Sequence, residues 1–307
     1  MKLFVESAYL SSLLSAIYIA LLYRSHRYRR PPIAPLLVAF TMGMLAVIPV
    51  VLIYRLVPGL HPDGMLGAVA IAPWLEEAVK LLLFLTMARR LGYPTLIEPL
   101  DYAILFGVLG VGFSVYEDFW YIFGGSYPSW ISGDVGRFSE VFRWLIYARS
   151  FPGHLLFDAV AGFLIGWGMC GESERARANR RWSIVGAFAV AVAMHTGFNL
   201  AAHARGTLLL WSVVVLYVGL FLAFRRRALE RSPFAALQAL LAGDATSWGF
   251  PVSPVQVLFA EGFDWPGRVK SRILPFYPLT LSLVVLFPVL VSCVYLLHRL
   301  LSMGVQP

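Results

Sequence analysis

The chain has 307 residues, of which 59% are hydrophobic and 14% charged, with a formal net charge of +8. Soluble domains carry about 25% charged residues, so the composition excludes an ordinary soluble globular protein. The positive charge does not indicate nucleic-acid binding, because the basic residues are concentrated in alternate connections between long apolar segments. We therefore expect a multi-pass protein of the cell membrane that contacts lipids and binds no nucleic acid.

Eight apolar segments are each long enough to cross a hydrocarbon core of ~30 Å as a helix. They are residues 3–23, 33–57, 66–88, 100–122, 150–170, 183–203, 207–224 and 276–298. The predicted fold class is all-α, a polytopic transmembrane helical bundle that forms one integral membrane domain over residues 1–307. Seventeen of the 25 Lys and Arg residues follow spans one, three, five and seven, and seven lie on the other side. The positive-inside rule then places both termini outside the cytoplasm.

Two connections are expected to contain structure of their own. Residues 137–149 place apolar side chains at i, i+3, i+4, i+7 and i+8, which predicts an amphipathic helix at the membrane interface. Residues 126–136 are rich in Gly, Ser and Pro and predict a flexible lead-in to that helix. In the cytoplasmic loop 225–275, Ser232 and Pro233 predict the N-cap and first residue of a short helix.

The third span contains three ionisable side chains, Glu76, Glu77 and Lys80. An ionisable group at mid-bilayer costs at least ~2.5 kcal/mol, so its presence indicates a function unless it only pairs with a neighbour. Glu76 and Lys80 are four residues apart on one helical face, in the favourable order for an ion pair. Such a pair leaves Glu77, about 100° around the helix, without a partner. Pro73 is expected to kink the helix just before this group.

The fourth span combines small and acidic residues. Gly107, Gly110 and Gly112 follow no strand, so they predict close helix packing instead of a nucleotide loop. Glu117 and Asp118 lie near the outer end of the span. We expect Glu117 to point inward and Asp118 to reach interfacial water.

Spans five and six each contain a histidine with a polar residue one turn later. His154 is followed by Asp158, and His195 by Asn199. At this spacing the second residue either orients the imidazole or faces the same site. With a rise of about 1.5 Å per residue, the histidines and glutamates of spans three to six all fall in the outer half of the bilayer. This agreement in depth predicts one shared site.

These residues resemble the motifs of the PrsW family of intramembrane proteases, which is related to the CAAX prenyl endopeptidases and the Abi proteins. The motifs in this chain are Glu76-Glu77-x-x-Lys80, Phe113-x-x-x-Glu117, His154-x-x-x-Asp158 and His195-x-x-x-Asn199. They define an expected catalytic core at about 66–203. The resemblance implies hydrolysis of a peptide bond in a single-span membrane protein substrate, near the outer half of the bilayer. In PrsW proteins the implied reaction is first-site cleavage of an anti-sigma factor.

Peptide hydrolysis needs an activated water, a donor for the oxyanion and a proton for the leaving amine. We assign the base to Glu76 or Glu77, because burial makes a carboxylate a stronger base near neutral pH. The partner on the water is His154 or His195, and Asn199 is the candidate oxyanion donor. This assignment describes a glutamic-type protease without a cofactor.

Three further residues are assigned less specific roles. The related CAAX enzymes have histidine at the position of Glu117, so this side chain either protonates the leaving group or adjusts a histidine. Lys80 and Asp158 are expected to support the site.

Three alternatives remain open at this stage. A zinc ion held by His154, His195 and Glu77 would make the protein a metalloprotease, although the charge of Lys80 opposes a nearby dication. Buried Glu and His residues also occur in the relays of proton-coupled transporters. A non-catalytic membrane scaffold, as in the Aph subunit of γ-secretase from a related family, is the third alternative.

Overall fold

The computed structural model describes residues 2–29, 31–57, 60, 64–91, 95–149, 151–170, 174–204 and 207–235, and every regular element among them is helical. Six of the helices are long and apolar enough to cross a membrane. The expectation of an all-α, multi-pass protein is therefore confirmed. The count of eight spans and the position of the termini stay predictions, because span 276–298 and most of the loop 225–275 lie outside the described residues.

The helices follow the predicted spans with shifted ends. They are α1 (Lys2–Ser25), α2 (Ile33–Leu56), the single turn α3 (Gly64–Leu66), a π-helical turn (Gly67–Ile71), α4 (Ala72–Leu91), α5 (Pro99–Ile131), α6 (Val135–Arg149), α7 (Gly153–Cys170), α8 (Glu174–His203) and α9 (Thr207–Glu230). α4, the core of the third predicted span, is not among the six apolar helices, because five of its residues are ionisable.

α5 is the central helix of the bundle. It packs against α1, α2, α6 and α7, while α4 contacts α2 and α8, and α9 contacts α7 and α8. Buried apolar residues line α5 over most of its length, whereas α1, α2 and α9 carry large exposed apolar side chains. This distribution suits a bundle whose outer helices face lipid.

The glycines of α5 allow its neighbours to approach closely. A Cβ at Gly110 would collide with the carboxylate of Asp158 and the backbone carbonyl of His154 on α7. A Cβ at Gly112 would collide with the backbone carbonyl of Phe40 on α2. The prediction that these glycines serve helix packing is confirmed.

The predicted flexible lead-in at 126–136 is wrong over its first half. α5 continues as a helix to Ile131, with Pro128 inside it. The extension is held by α6, because Leu145 packs directly over Gly125 and the rings of Trp130 and Phe138 meet at 5.4 Å. Composition indicated a loop here, but packing against α6 stabilises the helix.

The amphipathic helix after this extension is confirmed as α6. Its residues Phe138 and Phe142 pack against the aromatic cluster of Phe119 and Phe123 on α5. Its position at the membrane interface stays a prediction. The predicted cap at Ser232 is also present, since its hydroxyl accepts a hydrogen bond from the Phe234 backbone N–H at 3.3 Å.

A buried polar cluster at the start of α5 fastens the α1–α2 loop to that helix. His26 hydrogen-bonds Glu98 and Arg29 pairs with Asp101, while Asp101 also accepts from the Glu98 backbone N–H at 3.1 Å. The His26 Nδ1 accepts from the Arg29 backbone N–H at 3.1 Å. We call these four residues the α5-start cluster.

Candidate active site

Lys80 joins α4 to α7 through two carboxylates. Its ammonium donates to Glu77 Oε1 at 2.8 Å and to Asp158 Oδ2 at 2.9 Å. All three residues are buried. The predicted Glu76–Lys80 pair is therefore wrong, because Lys80 binds Glu77, which lies three residues before it in the helix. Spacing alone allowed either glutamate, and the position of Asp158 on α7 draws the ammonium toward Glu77.

His195 of α8 is oriented by the same glutamate. Its Nδ1 lies 2.7 Å from Glu77 Oε1. A carboxylate that already accepts from an ammonium can only accept, so Nδ1 carries the ring proton and Nε2 has a lone pair. Phe157 stacks on the imidazole, with ring centroids 5.1 Å apart. The tautomer and the ring plane of His195 are thus both fixed by its neighbours.

His154 of α7 has the opposite tautomer. Its Nδ1 lies 3.0 Å from the Lys80 ammonium, which can only donate, so Nδ1 accepts. Its Nε2 then carries the proton and donates to Glu117 Oε2 at 2.8 Å. Asp158 binds Lys80 and does not orient His154. Of the two predicted alternatives, the structure therefore shows the second, in which Asp158 and His154 face the same site.

Glu76 presents one unsatisfied oxygen to His195. Its Oε1 accepts a long hydrogen bond from the Tyr54 hydroxyl, at 3.4 Å. Its Oε2 is buried without a hydrogen-bond partner and lies 3.9 Å from His195 Nε2. Both of these atoms are acceptors, and a buried acceptor without a donor is costly. The arrangement suits a species that satisfies both, which is either a water molecule or a cation.

Asn199 of α8 donates a hydrogen bond to the π-helical turn. Within that turn the Ala72 N–H donates to the carbonyl of Gly67 instead of Ala68, and Pro73 has no N–H to offer. The Ala68 carbonyl therefore accepts from Asn199 Nδ2 at 2.8 Å. The irregularity expected at Pro73 is present as this wider turn. The predicted role of Asn199 as oxyanion donor stays a prediction, with one amide N–H already used.

A small cavity opens beside the two histidines. It is lined by Ser114, Asp118, Phe151, Gly153, His154, Phe157, His195, Phe198 and Asn199. Its volume is about 10 Å³, close to the lower limit for a single water. Asp118 is buried here, so the expectation that it reaches interfacial water is wrong. Its position allows it to contact a molecule that enters toward the histidines.

The residues of the site are of the types that bind a catalytic metal ion. Glu76, His154 and His195 each offer a ligand atom within 4.8 Å of the others, and two histidines with one glutamate are a known catalytic zinc set. The sequence predicted Glu77 in that set, but Glu77 is occupied by Lys80 and His195. Two carboxylates balance the charge of Lys80. Its ammonium nevertheless donates to His154 Nδ1 while His154 Nε2 donates to Glu117, so His154 becomes a metal ligand only if these hydrogen bonds rearrange.

His26, Glu98 and Asp101 of the α5-start cluster lie equally close together. There the His26 Nδ1 accepts a backbone N–H, so Nε2 carries the proton and faces Glu98. A metal at Nε2 would require the proton to move to Nδ1, against that N–H. Hydrogen bonding therefore accounts for this second group, whose single histidine uses both ring nitrogens, whereas in the first group His195 Nε2 keeps its lone pair toward Glu76.

The family of the chain follows from comparison with known proteins. The family model described as PrsW family intramembrane metalloprotease matches residues 31–225. The chain belongs to the PrsW family. The match supports an intramembrane peptidase and agrees with the resemblance carried by the four motifs. It includes α2 and most of α9, which lie outside the predicted core. No curated protein and no solved structure matches the chain.

Sequence reasoning missed Tyr54 as a member of the site. It lies near the end of α2 next to Arg55, where tyrosine is ordinary at a membrane–water boundary. No spacing rule links it to α4. Only the packing of α2 against α4 brings its hydroxyl to Glu76.

Proposed function

We propose that this PrsW-family protein is an endopeptidase that cleaves a single-span membrane protein, with a water between Glu76 and His195 as nucleophile. The observation that supports this most directly is the pair of facing acceptors, Glu76 Oε2 and His195 Nε2, 3.9 Å apart. A water that donates one hydrogen to each would have its oxygen lone pairs free to attack. The proposed site lies toward the outer half of the bilayer, as the topology predicted from the sequence implies.

Glu76 acts as the base in this proposal. As the water oxygen forms its bond to the scissile carbonyl carbon, Glu76 Oε2 takes the proton. Glu77 keeps the lone pair of His195 Nε2 directed at the water, in the way a carboxylate orients the histidine of a catalytic triad. The protonated Glu76 then gives its proton to the leaving nitrogen as the C–N bond breaks. The water supplies both the oxygen and the proton, so the step balances.

The oxyanion of the intermediate needs donors that are already in place. The His154 Nε2–H and the second amide N–H of Asn199 are the candidate donors beside the cavity. Lys80 fixes the His154 tautomer from the other side of the ring. The His154 Nε2–H, which now donates to Glu117, would exchange that bond for one to the substrate oxyanion.

A bound zinc ion is compatible with the same residues. Glu76 and His195 would hold it, with His154 as a third ligand once its hydrogen bonds to Lys80 and Glu117 rearranged. The ion would make water more acidic and polarise the substrate carbonyl. Under that arrangement Glu77 still orients His195, and Lys80 with Asp158 still balances the buried charge. The metal-free mechanism expected from the sequence is thus one of two forms of this proposal.

Purified protein in liposomes, incubated with single-span test substrates, tests the function. We expect two fragments from a cut near the outer half of the span, and none with Glu76→Gln. Intact substrate after prolonged incubation with wild type, at several span sequences, would contradict the proposal. A strong chelator followed by zinc separates the two forms: activity that is lost and then restored requires the metal, and unchanged activity excludes it.

A further inference from the structure

We propose that Tyr54 is a positioning residue for Glu76, holding one carboxylate oxygen so that the other faces His195. The inference rests on the proposed function, because it gives Tyr54 a part in preparing the catalytic glutamate. It adds α2 to the elements that build the site. The four motifs lie on α4, α5, α7 and α8, so none of them includes this helix.

The geometry assigns the two oxygens of Glu76 to different partners. The Tyr54 hydroxyl contacts Oε1 at 3.4 Å, and Oε2 lies 3.9 Å from His195 Nε2. Glu76 receives no donor from Lys80, whose hydrogen bonds go to Glu77, Asp158 and His154. Among the described residues, Tyr54 is therefore the side chain that hydrogen-bonds Glu76 and fixes the rotation of its carboxylate.

The support for Tyr54 itself is apolar and rigid. Its ring packs on the cluster formed by Ala46, Val47, Val50 and Phe113. This packing restricts the ring, so its hydroxyl is presented to Glu76 at little further entropic cost. A hydrogen bond that orients a reacting carboxylate affects the rate more than the affinity for substrate, because the misplaced group costs most in the transition state.

The test is a double-mutant cycle of Tyr54→Phe and Glu76→Ala, with Tyr116→Phe as matched control. Tyr116 packs on the same apolar cluster, so its variant loses one hydroxyl without changing Glu76. We expect Tyr54→Phe to lower kcat about tenfold with KM unchanged, and Tyr116→Phe to retain wild-type values. Equal losses in the two tyrosine variants, or a Tyr54→Phe loss confined to KM, would overturn the inference.

Thermal unfolding of the same proteins in detergent separates this inference from the proposed function. Tyr54→Phe should lower the unfolding midpoint by about 2–4 °C in the wild-type background and leave it unchanged in the Glu76→Ala background. That readout does not depend on cleavage. If wild type cleaves nothing, the proposed function fails while the cycle still decides the Tyr54–Glu76 contact. Additive midpoint changes would show that the two side chains do not interact.

Discussion

Glu76 and Glu77 are adjacent in the chain but differ in their surroundings. Each has a buried Oε2 without a hydrogen-bond partner, but Oε1 of Glu77 accepts from Lys80 and His195, whereas Oε1 of Glu76 accepts only a long hydrogen bond from Tyr54. A buried carboxylate with two cationic or polar donors is held in place. A carboxylate that is not paired with the Lys80 ammonium is available to take a proton. Asp158 of α7 and His195 of α8 create this difference. It cannot be seen from the sequence, in which the two glutamates are adjacent.

We expect the two glutamine variants to fail in different ways. Glu76→Gln should fold normally and lose at least ~100-fold in kcat/KM, the scale of a lost general base. Glu77→Gln should lose about 1–3 kcal/mol of stability, less than the ~3–5 kcal/mol of a fully broken buried pair, because Asp158 still neutralises Lys80. Cleavage rates and thermal unfolding in detergent measure both effects, with Glu140→Gln on the exposed face of α6 as control. Similar stability losses in the two variants would contradict this division.

The ionisable residues of the site on α4, α5, α7 and α8 could be predicted from residue types and spacing, but Tyr54 and the pairing of these residues could not. Burying Glu, His and Lys in apolar helices is costly enough to indicate a site. Helical spacing then offered Glu76 and Lys80 as partners, and His154 with Asp158. In the structure Lys80 takes Glu77 and Asp158 instead. Partner choice depends on which helix packs beside α4, and that information is not local in the sequence.

At the scale of elements, helix existence was predictable and helix length was less so. Long apolar runs fix the spans, but α5 extends to Ile131 because α6 covers its end. The π-helical turn before Pro73 was expected only as a kink. Its exact form depends on Asn199, which supplies the donor that proline lacks. Such contacts between distant segments cannot be read from periodicity.

Gly110 of α5 packs directly against two site residues of α7, Asp158 and His154. Gly110→Ala should destabilise the protein and reduce cleavage, because the methyl group would push Asp158 and the His154 backbone away from α5. Gly186→Ala on α8 is the matched control, since a Cβ there meets nothing within 4 Å and alanine favours a helix by about 1 kcal/mol over glycine. Unfolding midpoints and cleavage rates should fall for the first variant only. If the Gly110→Ala and Gly186→Ala variants were equally stable and equally active, α7 would be able to shift without loss of stability or activity.

At the scale of the whole molecule, orientation in the membrane is the main remaining prediction. In a background with Cys170 and Cys293 replaced by serine, we expect Asp134→Cys to react with an impermeant thiol reagent added outside intact cells. Arg27→Cys should react only after the cells are permeabilised. Both positions are exposed in the structure, and the uneven distribution of Lys and Arg motivates the expectation. The reverse labelling pattern would invert the protein and move the site to the cytoplasmic half.

The two polar clusters of the bundle are separated along α5 by a long apolar stretch. Asp101 and Glu117 are sixteen positions apart in the chain, or about 24 Å along a helix. Between them, Phe84 stacks on Phe106 with ring centroids 4.4 Å apart. Residues 102–116 of α5 include two tyrosines but no Asp, Glu, Lys, Arg or His, unlike the relay that a proton-coupled transporter requires.

Under the proposed function, the same aromatic stack would oppose proton movement along the bundle. A hydrolytic site inside a bilayer must admit water and transfer protons. The membrane around it carries a voltage. Phe84, which stacks on Phe106, follows Lys80 by about one helical turn, so a proton exchanged at the site would move to and from the aqueous phase from which the water came. Turnover would then dissipate none of the stored electrochemical gradient, so the protein could remain permanently assembled in an energised membrane without acting as a leak.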